Sequence, residues 1–181
     1  MKNKQSPEET AAHISDIYFP LTNYTGTLTR SDCYFPIGKF ATDLGFTVTV
    51  RDIQIPSLTG YIACDDTIPA KRLIAVDENN SKTEQRFTIA HELWHYFKRI
   101  DCIDKLACSG GFYIGRYTSK TENDDINQEE QEADQFAIGL LVPRDKFTIA
   151  FEQADDFYDL AMKFGVSKER IQNRAKELQY I

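Results

Sequence analysis

The chain has 181 residues, 41% of them hydrophobic and 27% charged, the composition of an ordinary folded domain, which excludes whole-chain disorder and fibrous architectures. Lys and Arg total 21 against 28 Asp and Glu, a formal charge of -7, so a phosphate backbone would be repelled and direct nucleic-acid binding is disfavoured. No apolar run approaches the roughly 20 residues of a membrane helix, and the cysteines Cys33, Cys64, Cys102 and Cys108 form no Cys-x-x-Cys pair; the expectation is a cytoplasmic protein with reduced thiols and no membrane partner.

Ser6-Pro7-Glu8-Glu9 reads as a helix start, with Ser6 as cap, Pro7 in the first turn and Glu9 closing a capping box. A helix to about Tyr18 follows, on which His13 has no partner at ligand spacing and is expected to be half-buried. Pro20 to Ser31 reads as a connector. Pro36 to Leu44 predicts a short helix stopped at Gly45, after which Phe46, Val48 and Val50 alternate with Thr47, Thr49 and Arg51 as a strand. Gly60 to Cys64 and Leu73 to Val76 predict two more strands of a small, mainly antiparallel sheet.

Thr83 to Arg99 predicts a longer helix, capped by Thr83, with Phe87, Ala90, Leu93, Trp94 and Phe97 at helical spacing. The segment after it, with Gly110, Gly111 and Gly115 among tyrosines, reads as irregular, a lid or cleft wall. Gln128 to Leu141 resumes helical spacing up to Pro143, and a final helix pair is expected over Asp145 to Gln179. The fold class is therefore α+β.

Two of the three histidines fall in His91-Glu92-Leu93-Trp94-His95. At four residues' separation the imidazoles stand one turn apart and only about 40° apart in azimuth, so both can bind one ion. Glu92 sits beside them, where a carboxylate can reach water at the ion without itself ligating. Zn2+ is the expected cofactor: it makes its water acidic, and Glu92 as catalytic base takes the proton for attack on a peptide carbonyl. A third ligand is required, and no histidine follows His95, so it must come from a carboxylate in Glu129-Glu130-Gln131-Glu132.

On a wheel with Ala133 at zero, the apolar residues Phe136, Ala137, Leu140 and Leu141 centre near 10°, with Glu130 at about 60°, Glu129 at about -40° and Glu132 at about -100°. Glu130 is the choice, with Glu129 and Glu132 as alternatives. Asp134, one turn beyond Glu130, is then placed to accept the remaining ring N–H of a ligating histidine. Tyr96, Tyr113 and Tyr117 are the candidates for stabilising an oxyanion, each more simply read as packing.

These motifs together resemble the ImmA/IrrE family of bacterial metallopeptidases over residues 35–181. The likeness lies in Phe35-Pro36-Ile37 through Leu44-Gly45-Phe46, in Gly60-Tyr61-Ile62 and Ile74-Ala75-Val76, and in Arg86-Phe87-Thr88-Ile89-Ala90-His91-Glu92-Leu93. It continues in Glu130-Gln131-Glu132-Ala133-Asp134-Gln135-Phe136-Ala137, in Leu140-Leu141-Val142-Pro143, and in the closing Leu160-Ala161, Phe164, Val166-Ser167 and Arg174. Trp94 stands where a small residue is usual and Asp134 where Asn is common.

The resemblance implies a zincin-like domain at 35–181; residues 1–34, which it does not cover, read as an N-terminal helix and connector. It also implies a regulatory protease that cleaves a helix-turn-helix repressor and so releases stress or mobile-element genes. Two rivals remain: a non-proteolytic antirepressor, and a DNA-binding regulator whose Leu160 to Ala175 segment mimics a helix-turn-helix.

Overall fold

The computed structural model describes residues 5–21, 26–65, 70–100, 112–117 and 124–181. Cys102 and Cys108 and most of the segment read as irregular lie outside the described residues, as does the side chain of Tyr117. Contacts divide the chain into two compact units, Ile37–Asp134 and Met1–Pro36 with Gln135–Ile181.

The first unit is built on a four-stranded sheet. Helix α1 (Pro7–Tyr18) and the short α2 (Arg30–Cys33) precede it in the chain, and α3 (Ile37–Asp43) opens it. Gly45, at φ 85°, supplies the left-handed residue that ends α3. Strands β1 (Thr47–Arg51), β2 (Leu58–Cys64) and β3 (Arg72–Asp77) follow, then α4 (Lys82–Arg99), β4 (Phe112–Tyr117) and α5 (Asp124–Leu141). The sheet order is β1-β3-β2-β4; β1 is parallel to β3, and the other two pairings are antiparallel.

Central strands β2 and β3 carry near-continuous apolar residues, including Ile62, Ala63, Ile74 and Val76, and these are buried. Helix α4 lies on β2, β3 and β4 and buries Phe87, Ala90 and Leu93 against them; each large apolar side chain removed from water contributes about 1.5–3 kcal/mol. Ser81, not Thr83, caps α4, accepting from the Glu84 backbone N–H at 3.2 Å.

The expected irregular segment contains an edge strand. Residues 112–117 pair with β2 as β4, and the register shifts between Leu58 and Gly60, so Thr59 has no residue opposite it on β4 and Arg116 stands opposite Gly60. Close approach explains the glycine: a Cβ on Gly60 would lie 2.5 Å from Thr88 Cγ2 and 2.7 Å from the Ala75 carbonyl oxygen.

The second unit is helical. The Ser6–Glu9 capping box forms as expected at α1, whereas His13 is exposed rather than half-buried. Three helices, not two, close the chain: α6 (Arg144–Gln153), α7 (Phe157–Phe164) and α8 (Lys168–Glu177). Asp156 breaks the stretch by capping α7, accepting from the N–H groups of Tyr158 and Asp159. Gly165 at φ 67° and the Ser167 cap make the turn into α8, whose Ile171, Arg174 and Ala175 are buried. Among the described residues no helix is long and apolar enough to cross a membrane.

Candidate metal centre

The site lies in the sheet-containing unit, between the middle of α4 and the first turns of α5. His91 and His95 are each 1% exposed and Glu92 is fully buried, on a stretch of α4 that is buried from Phe87 to Tyr96. Helix α5 faces them with Glu129, Glu130 and Asp134.

The Nε2 atoms of His91 and His95 are 3.4 Å apart. Glu130 places one carboxylate oxygen 3.0 Å from His91 Nε2 and the other 3.3 Å from His95 Nε2. Ligand atoms about 2.0–2.1 Å from a tetrahedral ion stand about 3.3 Å from each other, and nitrogen with carboxylate oxygen is a donor set that Zn2+ takes. These three residues form the group, among the described residues, able to hold a metal ion.

The opposite ring nitrogens support this orientation. His91 Nδ1 is 2.8 Å from Asp134 Oδ1, and His95 Nδ1 is 2.7 Å from Glu129 Oε1. An ionised carboxylate can only accept, so each Nδ1 carries a hydrogen; in the neutral tautomer, the form that binds metal, each Nε2 would turn a lone pair towards Glu130. With both rings neutral, the two Nε2 lone pairs and the Glu130 carboxylate would suit a divalent ion between them.

Glu92 is different. Neither of its buried oxygens has a hydrogen-bond partner among the described residues, although buried polar groups are nearly always satisfied. Burial pushes its carboxyl up to about 7, against the opposing charges of His91 and His95. Burial also works against a charge on His95, but the hydrogen bonds to Glu129 and Glu130 outweigh it and raise His95 to about 9. The hydrogen bond to His95 holds Glu129 well below the usual carboxylate range, with Arg99 assisting.

Arginines back both carboxylates. Arg99 Nη1 is 2.7 Å from Glu129 Oε1. From β4, Arg116 donates through Nη1 to Glu84 at 2.6 Å and Thr88 at 3.1 Å, and its Nη2 is 3.9 Å from Asp134. Neither arginine was singled out by the sequence. Glu129 did carry a signal: on the wheel it flanks the apolar stripe as closely as Glu130 does, on the other side. Glu132 turns outward to Lys98, 2.8 Å away.

Two of the tyrosine candidates are engaged elsewhere. The Tyr96 hydroxyl accepts from Arg72 at 3.0 Å and its ring meets Phe46 edge-on, while Tyr113 donates to Asp65 at 2.6 Å.

An α+β unit with two helical histidines and a glutamate converging on one point defines a metallopeptidase-like domain. Residues 41–176 match the peptidase M78 family, described as the IrrE N-terminal-like domain, and the chain belongs to that family. Among solved structures it is similar to one described as a Mycobacterium tuberculosis transcriptional regulator, at 18% identity and a TM-score of 0.60. That alignment covers 93% of this chain and 45% of the other, so the chain spans less than half of that neighbour's length. No curated protein matches.

Proposed function

We propose that the chain is a zinc-dependent endopeptidase in which His91, His95 and Glu130 hold the ion and Glu92 is the catalytic base. The observation that carries this reading is the buried Glu92 carboxylate, unpartnered among the described residues, beside three convergent ligand atoms. A carboxylate so placed costs stability, and groups retained at such a cost cluster at functional sites.

When bound, Zn2+ supplies Lewis acidity, making water more acidic and polarising the carbonyl under attack. Glu92 takes a proton from the attacking water and delivers it to the departing amine nitrogen. Asp134 and Glu129 fix the tautomer and the tilt of the two imidazoles by accepting their Nδ1–H groups. The peptidase domain in this reading spans residues 35–181, after an N-terminal helix and connector at 1–34, in a cytoplasmic protein.

The proposed substrate is a helix-turn-helix transcriptional repressor, a reading supported by the resemblance to ImmA/IrrE peptidases. Incubation with the regulator encoded beside the gene tests it. Wild-type protein is expected to cleave that regulator and Glu92→Gln to leave it intact while still binding zinc. Equal cleavage by Glu92→Gln would overturn the mechanism, and tight binding without cleavage would favour an antirepressor.

A further inference from the structure

We infer that Glu129 and Arg99 form a clamp that fixes the imidazole of His95, making both of them positioning residues for the metal centre. The inference rests on the reading of His91, His95 and Glu130 as ligands and deepens it.

The geometry is a closed ring. Glu129 Oε1 is 2.7 Å from His95 Nδ1, and the same oxygen is 2.7 Å from Arg99 Nη1. Arg99 Nη1 in turn donates to the backbone carbonyl of His95 at 3.2 Å. Arg99 therefore stands on the turn after His95, anchored to the residue whose ring it helps to hold, and Glu129 joins its guanidinium to that ring. The side chains of Glu129 and Arg99 are 20% and 28% exposed, so the pair is partly shielded from water and less weakened than a surface ion pair.

His91 is held by a different arrangement. Its partner Asp134 has a half-exposed side chain, and the arginine behind it, Arg116, stands 3.9 Å away. Lys98 is peripheral to the clamp, 2.8 Å from Glu132 but 3.6 Å from Glu129. If ring orientation sets affinity, removing the clamp weakens metal binding without removing a ligand, and removing Lys98 does not.

The test measures zinc affinity of the full chain by chelator competition, with the visible spectrum of the cobalt-substituted protein reporting the ligand set. Glu129→Ala is expected to weaken zinc binding about 10–100-fold, as loss of a hydrogen-bond partner behind a ligand typically does. Arg99→Met should weaken it several-fold, Glu129→Gln should keep most of the affinity because its amide oxygen still accepts from Nδ1, and Lys98→Met should match wild type. All four should keep the wild-type cobalt spectrum.

Should Glu129→Ala fail to fold, Arg99→Met and Glu129→Gln decide the matter. Wild-type affinity in both Glu129→Ala and Arg99→Met would overturn the clamp. So would a Glu129→Gln loss equal to that of Glu129→Ala with an altered cobalt spectrum, which would make Glu129 a ligand. Glu130→Ala separates the two readings: unchanged zinc affinity there would defeat the metal centre itself.

Discussion

Gly60→Ala tests how the sheet positions the metal helix. The new Cβ would sit 2.5 Å from Thr88 Cγ2 and 2.7 Å from the Ala75 carbonyl oxygen, where carbon atoms need about 3.5–4.0 Å between them and a carbon-to-oxygen contact about 3.3 Å. Relief requires a movement of about 1 Å at Thr88 and about 0.5 Å at Ala75. Neither neighbour yields easily. Thr88 is β-branched, fully buried and hydrogen-bonded to Arg116 at 3.1 Å, and Ala75 O belongs to the backbone of β3. Overpacking of this kind costs about 1–3 kcal/mol.

Because Thr88 lies one turn before His91 on α4, any displacement of the helix also moves a proposed ligand. Urea unfolding should show the loss, and chelator competition should show weakened zinc binding. Gly60→Ala with Thr88→Ser, which deletes Cγ2 but keeps the hydroxyl, should recover part of the stability and not all of it. Wild-type stability and wild-type zinc affinity in the single Gly60→Ala variant would show that the contact of Gly60 with Thr88 and Ala75 does not position α4.

Lys146 is buried, with Nζ donating to the Phe19 carbonyl at 2.6 Å, and burial pushes it down to about 8 from 10.5. The unfolded chain holds this proton more tightly, so the cost is fully present below pH 8 and fades as pH rises towards 10.5; stability should gain about 2 kcal/mol between pH 7 and 10 relative to Lys146→Met. Urea midpoints across that range check the slope, and parallel profiles would contradict it. Asp134→Ala should weaken zinc binding about 10–100-fold, and Asp134→Asn much less, since its amide oxygen still accepts from His91; chelator competition reads both. Ser6→Ala removes the α1 cap and should cost about 1 kcal/mol in thermal unfolding.

The convergence of His91, His95 and Glu130 was largely legible because helical periodicity constrains which side chains share a face. His91 and His95 share a face at any plausible helix boundary, and the apolar stripe of α5 fixes where its acids point. Glu129 and Glu130 flank that stripe symmetrically, so which one meets the Nε2 atoms depends on how α5 is set against α4, information that the wheel lacks. Strand β4 was missed because Gly115 interrupts its alternation and glycines precede it, and its pairing is decided by the β2 edge. Arg116 follows from that strand and was invisible for the same reason. The break before α7 was readable in Asp156, a helix-capping residue type, but the apolar spacing on both sides masked it.

The proposed function stands on one divalent cation held jointly by α4 and α5. A crystal structure with anomalous scattering recorded at the zinc edge tests it most directly. The expected result is a single stoichiometric ion about 2.0–2.2 Å from His91 Nε2, His95 Nε2 and a carboxylate oxygen of Glu130. A stoichiometric ion bound elsewhere, or metal-free protein after purification in the presence of zinc, would contradict it.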